Sequence, residues 1–333
     1  MVFEPKFGIS PSRISSYNVV HGGNNHYSDM SAALKAWNGS NKHSGNVSKK
    51  AAKRIRSKIE WLCYLAKKRR VQPQSGGKSF DFKINFLTLT LPSPQKHTDN
   101  EIKAKCLNQF LTELRQKFGM KNYVWKAELQ GNQNIHFHIT TDTYIHHETI
   151  RNIWNRNISK LGYVQSYQDK MRIMSFGDYV NHRSRQGSAN VSKLRKGYEY
   201  GQKTDWCSPN STDVKTVKNV QNLANYLAKY LTKDIAKKSS CSATIERLAA
   251  FTGNLWYCST SLSRLSTYKT HPSGKAIEFT SAVANLKKSL ICVYDYCECI
   301  YFSINEIPPK LARMLRAMLL HHALATGYQI QNG

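Results

Sequence analysis

Long apolar runs are absent from this 333-residue sequence. A transmembrane helix needs about 18 or more consecutive apolar residues, and no such stretch occurs. The opening residues, MVFEPKFGIS, are not followed by the apolar core of a secretory signal. We therefore expect neither a membrane anchor nor export, and we expect the protein to act in the cytoplasm.

Cysteine pairs with the spacing of structural zinc sites are also lacking. The sequence has eight cysteines, and none belongs to a Cys-x-x-Cys unit. Cys297 and Cys299 are separated by one glutamate, inside an apolar run typical of a strand. A zinc site is therefore disfavoured, and a chain without an export signal is expected to keep its thiols reduced.

Acidic residues are scarce, with 21 Asp and Glu against 49 Lys and Arg, for a formal net charge of +28. Such an excess repels itself in a compact chain, and a nucleic acid partner would relieve the repulsion. No clear basic amphipathic helix with a broad apolar face is present, which disfavours a membrane surface as partner. A basic surface that only aids solubility is the alternative.

Hydrophobic patterning divides the chain into three predicted parts. Residues 1–79 are expected to form a basic, partly irregular arm with one helix at 48–70. Residues 80–305 are expected to form a domain with a basic insertion at about 181–216, where the apolar pattern is lost. Residues 306–333 are expected to form a helix and tail. The order of strands and helices predicts an α+β fold, an antiparallel sheet with flanking helices.

Two basic segments are candidate DNA contacts. The helix at 48–70 has one narrow apolar stripe, and its cations can bind a DNA backbone or form a solvated face. In the insertion, Tyr198, Tyr200 and Trp206 can stack on bases or belong to a disordered tip. The candidate DNA-binding residues are Lys53, Arg54, Arg56, Lys67, Lys68, Arg69, Arg70, Arg195 and Lys196.

The segment His136-Phe137-His138 is the sharpest feature of the sequence. Side chains two apart on a strand share a face, so both imidazoles can bind one ion while Phe137 packs on the other side. Glu128, on the preceding predicted strand, is the candidate third ligand. Two imidazoles and a carboxylate suit Mg²⁺ or Mn²⁺. The histidine pair alone is weak evidence, because exposed strand histidines often bind nothing.

The length of the loop between these two strands tests Glu128. Directly opposed residues of an antiparallel pair share a face. Glu128 opposes His136 or His138 only if the loop has an odd number of residues, whereas a two-residue loop places it opposite Phe137. We therefore predict a loop of three or five residues.

The segment NYLAKYLTK, residues 225–233, is predicted to be helical. Tyr226 and Tyr230 are four apart and share a face, with Lys229 and Lys233 on the adjacent edge. Tyrosine can attack phosphorus and store the bond energy in a phosphotyrosine link, provided that positive charge stabilises its phenolate. All four are candidate catalytic residues. An amphipathic helix with aromatic packing is the alternative.

Together the motifs resemble those of HUH endonucleases, in particular the replication initiators of microviruses, the small circular single-stranded DNA phages. FLTLTLP (86–92) resembles the first family motif, the metal motif follows, and the tyrosine motif comes last; the resemblance covers roughly residues 80–265. It implies a rolling-circle initiator that nicks and joins single-stranded DNA through a 5′-phosphotyrosine, with a divalent metal as cofactor. It also implies origin DNA, single-stranded or supercoiled, and a host helicase and polymerase as partners in the bacterial cytoplasm.

Two other functions remain open. A transposase or relaxase of a mobile element can use the same kind of site, but relaxases usually have three histidine ligands and an amino-terminal tyrosine. Here the third ligand is Glu128 and the tyrosines follow the histidines, which favours an initiator. A non-catalytic single-stranded DNA-binding or packaging protein explains the charge, but not the metal motif or the repeated Tyr-Leu-x-Lys unit.

Overall fold

The computed structural model describes residues 2–21, 45–72, 77–184, 187, 190–217 and 242–328, which form an α+β fold as predicted. The strands are β1 (Val2–Ser10), β2 (Arg13–His21), β3 (Arg69–Val71), β4 (Phe80–Phe82), β5 (Ile84–Leu89), β6 (Tyr123–Leu129), β7 (Ile135–Thr141), β8 (Thr212–Val217), β9 (Trp256–Cys258), β10 (Tyr268–Thr270), β11 (Leu290–Tyr294) and β12 (Cys297–Tyr301).

The described helices flank these strands, and none of them is both long and apolar enough to cross a membrane. They are α1 (Lys49–Leu65), α2 (Asp99–Ile102 and Asn108–Phe118, joined by the π-helical turn Lys103–Leu107), α3 (His147–Ser159), α4 (Tyr163–Arg172), α5 (Phe176–Ser184), α6 (Val191–Lys203), α7 (Ser242–Ala249), α8 (Thr260–Arg264), α9 (Gly274–Ala284) and α10 (Pro309–Ala325).

The central sheet is antiparallel, with strand order β8-β5-β7-β6-β9. The hairpin β6–β7 lies inside it, so both of its strands are paired on each side. One face of the sheet is apolar: Leu87, Phe137 and Ile139 are fully buried in a core shared with α2 and α3. This burial follows from the two-residue period of the strands.

Helix α2 shows why the apolar face is closed where it is. Thr98 and Glu101 form a capping box that satisfies the first backbone N–H groups of the helix. Gly119, at φ 61°, adopts the left-handed conformation that ends it. The helix was predicted from Asp99 to about Phe118, and this prediction is confirmed.

The opposite face of the central sheet is covered at one end only. Ile55 and Ile59 of α1 pack in one core with Ile84, Phe86 and Val124 of the sheet. Towards the β6–β7 loop, the same face carries the charged and imidazole side chains of the metal motif. The basic helix α1 therefore forms a shoulder beside a polar patch.

A second five-stranded sheet, with order β10-β1-β2-β12-β11, lies beyond α1 in the chain's other core. Its strands β1 and β2 lie in residues 2–21, where an irregular arm was expected, so that expectation was wrong for these residues. Ile9 and Ile14 are buried with Ile300 of β12. The pairing partner lies almost 300 residues away, and local patterning cannot reveal such a strand. The predicted strand pair at 289–302 is confirmed as β11 and β12.

The predicted insertion at about 181–216 is not a long loop. Its helix α6 packs with α4 and α5 around a small aromatic core, and β8 is an edge strand of the central sheet. Trp206 is only 7% exposed within this core, and the Tyr198 hydroxyl donates to the Met174 carbonyl. Base stacking by Trp206 was therefore a wrong prediction. Tyr200 is 67% exposed and stays a candidate.

The aromatic core makes a testable demand on Gly201 of α6. A Cβ at this position would lie 2.3 Å from the Trp206 ring. Overpacking typically costs about 1–3 kcal/mol, which should outweigh the gain of about 1 kcal/mol in helix propensity. We expect Gly201→Ala to lower the free energy of unfolding, measured by urea denaturation.

The matched control is Gly177→Ala in α5, where the new Cβ would meet only the Ser175 hydroxyl, at 3.9 Å. This variant should be neutral or slightly stabilised. Equal stability of both variants would show that Trp206 does not pack on α6.

Candidate metal centre

The β6–β7 hairpin sets the positions of the predicted ligands. Glu128 pairs with His136 and Leu129 with Ile135, which leaves a five-residue loop, 130–134. The loop closes with a hydrogen bond of 2.8 Å from the Gln130 amide to the Asn134 carbonyl. The odd loop length predicted from the sequence is confirmed, and it places Glu128 on the same face as the imidazoles.

The three predicted ligands converge on one carboxylate oxygen. Glu128 Oε1 lies 2.9 Å from His136 Nε2 and 2.8 Å from His138 Nε2. One ligand atom from each of the three side chains lies within 4.8 Å of the other two. Phe137 turns to the opposite, fully buried side. Two nitrogens and one oxygen at this spacing form a donor set that fits a divalent ion.

A buried lysine holds the second oxygen of the carboxylate. Lys126, whose side chain is 4% exposed, donates to Glu128 Oε2 at 2.9 Å. Burial by itself would raise the pKa of Glu128, but the hydrogen bonds from both imidazoles and the charge of Lys126 hold it well below its usual range. Glu128 is therefore ionised at neutral pH and offers one oxygen, Oε1, to an ion.

The imidazoles are prepared as metal ligands by their surroundings. Burial lowers the pKa of His136 against the opposing effect of its bond to Glu128, which favours the neutral form that binds metals. Thr88 Oγ1 lies 3.1 Å from His138 Nδ1, so it can accept the Nδ1 proton and leave Nε2 free for an ion. The Phe86 ring stacks on His138 at 5.3 Å and an interplanar angle of 16°.

Sequence reasoning assigned no role to Thr88 or Lys126, although strand parity contained the signal. Lys126 is two residues before Glu128 and shares its face. Thr88 is directly opposite His138 in the β5–β7 register, which the sequence alone did not reveal. Thr88 also belongs to the Thr-rich strand motif noted above, so the structure connects that motif to the metal motif.

The candidate catalytic residues Tyr226, Tyr230, Lys229 and Lys233 lie outside the described residues. Their segment connects β8, an edge strand of the central sheet, to α7. Whether their side chains reach the metal motif stays a prediction.

The nine candidate DNA-binding residues are all exposed. Lys68 and Arg70 pair with Asp81 at 2.8 and 3.4 Å, and Arg195 lies over the Phe176 ring at 4.3 Å. These exposed contacts leave the cations accessible to a phosphate backbone. Their role in DNA binding also stays a prediction.

Comparison with known proteins agrees with the sequence resemblance. Residues 84–235 match the model of a family described as replication-associated proteins of the ORF2 type. The matched segment begins at β5, contains all three metal-ligand candidates and extends through the tyrosine motif. No curated protein and no solved structure gives a significant match. The family match confirms the resemblance to replication initiators and supports a role in DNA replication.

Removing the shared carboxylate should abolish tight metal binding. We expect Glu128→Gln to weaken Mn²⁺ binding by well over tenfold, because losing outer-shell partners alone typically costs about 10–100-fold. Isothermal titration calorimetry measures the affinity. Glu278→Gln, at an exposed glutamate on α9, is the control and should bind as the unmodified chain does. Unchanged affinity in Glu128→Gln would remove this residue from the ligand set.

The Thr88 contact can be tested separately. Thr88→Val keeps the side-chain shape but removes the acceptor for His138 Nδ1, so we expect about tenfold weaker Mn²⁺ binding. Thr90→Val is the control, since that hydroxyl bonds the Ser211 carbonyl instead. If both variants weaken binding equally, the loss reflects general damage to β5 and not the orientation of His138.

Proposed function

We propose that this protein initiates rolling-circle replication by nicking one DNA strand at an origin and later rejoining it through a 5′-phosphotyrosine. The convergence of Glu128, His136 and His138 on one point carries this proposal. The family match supports it, since the matched segment contains both this cluster and the tyrosine motif.

The cluster is difficult to explain as a stabilising feature. Burying a carboxylate and an ammonium costs desolvation energy that their mutual attraction repays only partly. Apolar residues of similar size would serve a packed sheet at least as well. A buried Lys126–Glu128 pair with two imidazoles is therefore better explained by a binding or catalytic task.

Each side chain has a distinct part in the proposed mechanism. A divalent ion, when bound, supplies Lewis-acid chemistry to the scissile phosphate. Glu128 and the two imidazoles would hold it, with Lys126 keeping Oε2 occupied and Thr88 orienting His138. Mg²⁺ and Mn²⁺ both suit this donor set. The limited number of protein ligands leaves coordination positions for phosphate oxygens.

The nick itself is a transesterification. The hydroxyl of Tyr226 or Tyr230 forms a bond to phosphorus while the bond from phosphorus to the 3′ oxygen breaks. The phenolic proton is lost to solvent and the leaving 3′ oxygen gains one, so no external energy is needed. Lys229 and Lys233 would stabilise the phenolate or hold phosphate oxygens. Rejoining is the reverse, with a 3′ hydroxyl attacking the phosphotyrosine.

Two tyrosines on one helix face would let one hold a 5′ phosphate while the other attacks the next site. The exposed cations of α1, of β3 and its approach, and of α6 would contact the DNA backbone. Their salt-dependent binding would hold single-stranded or supercoiled circular DNA. A host helicase and polymerase in the bacterial cytoplasm would unwind and copy the strand.

The two alternatives make different demands on the chain. A transposase or relaxase would share the cluster and the tyrosines, and would differ in the DNA sequence that it cuts. A packaging protein would need the basic surface and not the cluster. The burial of Lys126 and Glu128 favours an enzyme over a packaging protein.

A covalent protein–DNA adduct is the decisive product. We expect the protein to form one with origin-bearing single-stranded DNA in Mn²⁺, detected as a slower band on a denaturing gel. Tyr226→Phe with Tyr230→Phe should abolish the band, because neither residue can then form the ester. Single variants should keep part of it. A full-strength band from the double variant would exclude these nucleophiles.

His136→Ala is the informative companion variant. It should lose the adduct while keeping most of the salt-sensitive DNA binding, since phosphate contacts lie elsewhere on the surface. A packaging protein would instead bind DNA without forming any adduct under all conditions.

A further inference from the structure

Strand β11 forms one outer edge of the second sheet and is apolar on both faces. It pairs with β12 on one side and is the last strand in the sheet order. Its sequence, LICVY, contains no charged residue. Leu290 is 62% exposed and Val293 is 79% exposed. Ile291 and Tyr294 are also exposed.

Edge strands in soluble proteins are normally protected against pairing with another chain, by charges, proline, bulges or short length. The other edges of the two five-stranded sheets follow this rule. Edge strand β8 carries Asp213 and Lys215, and edge strand β10 carries Lys269. The fourth edge, β9, has only three residues. β11 has none of these protections.

We infer that β11 pairs with β11 of a second copy of this chain, forming a two-fold symmetric dimer through one continuous sheet. Directly opposed residues share a face of a pleated sheet, so a symmetric antiparallel pair centres on a residue. Centring it on Cys292 pairs all five residues. Ile291 then faces Val293 of the second copy, and Leu290 faces its Tyr294.

Charge complementarity selects a second copy as the occupant. Lys287 and Lys288 precede β11, while Asp295 and Glu298 follow the strand or lie opposite it. An antiparallel self-pair brings the basic end of each strand towards the acidic end of the other. The edge is locally balanced in a chain of net charge +28, so this is a place where two copies can approach without strong repulsion. DNA would find no net attraction here.

The pairing is small. Five residues per strand give an interface in the weak, transient class, below about 1,200 Å². Dimers should therefore appear at high protein concentration and persist in high salt, because apolar contacts and main-chain hydrogen bonds carry the pairing. Copies bridged by residual DNA would separate in high salt instead.

Sedimentation velocity on the full chain, freed of nucleic acid and held in high salt, tests the dimer. We expect the weight-average mass to rise with concentration above the 38.1 kDa of one chain. Val293→Lys should keep the protein monomeric at every concentration. Val20→Lys, at a 52% exposed position of interior strand β2, should dimerise as the unmodified chain does. A monomeric unmodified chain, or dimers of Val293→Lys, would overturn the proposal.

Cross-linking locates the axis. A short bis-maleimide should join two copies through Cys292, giving a covalent dimer on a reducing gel. Cys292→Ser should lose this band, and Cys207→Ser, at another exposed thiol, should keep it. Persistence of the band in Cys292→Ser would place the contact elsewhere. Circular dichroism on each variant shows whether it has folded.

Discussion

The pairing of Glu128 with His136 across the β6–β7 hairpin is the constraint on which the site depends. Through it, one carboxylate oxygen meets both imidazoles at hydrogen-bond distance. A slip of one residue in this register would turn Glu128 to the opposite face, into the apolar core. The five-residue loop and the burial of Phe137 oppose such a slip, because it would also expose that ring.

The surrounding fold protects the same constraint from two sides. On the apolar face, α2 and α3 bury Phe137 and fix the plane of the hairpin. On the polar face, α1 ends its cover near Phe86, whose ring belongs to the α1 core and also stacks on His138. Phe86 therefore connects the packing of the basic helix to the orientation of a metal-ligand candidate. Thr88, two residues further along β5, completes this connection through its hydroxyl.

Strand parity explains how much of the site the sequence revealed. The period of two and the rule of opposed residues predicted the shared face, the odd loop and the inward Phe137. Lys126 and Thr88 obey the same parity, but their contacts depend on side-chain conformations and on the β5–β7 register. These arise from tertiary packing, so the motif alone did not assign them.

The larger errors came from contacts distant in sequence. Strands β1 and β2 have interrupted patterns with Pro5, Gly8 and several polar residues, and they are completed by pairing with β12. The segment around α6 is polar in sequence, yet Trp206 and Tyr179 pack against each other in a core of their own. Helix and strand propensities are weak where such packing decides the structure.

Pulsed electron paramagnetic resonance of bound Mn²⁺, on protein labelled with ¹⁵N-histidine, tests the central claim most directly. The account predicts hyperfine couplings from two directly coordinated histidine nitrogens, and loss of one coupling in His138→Ala. A Mn²⁺ spectrum with water couplings alone, and no coordinated nitrogen, would contradict it.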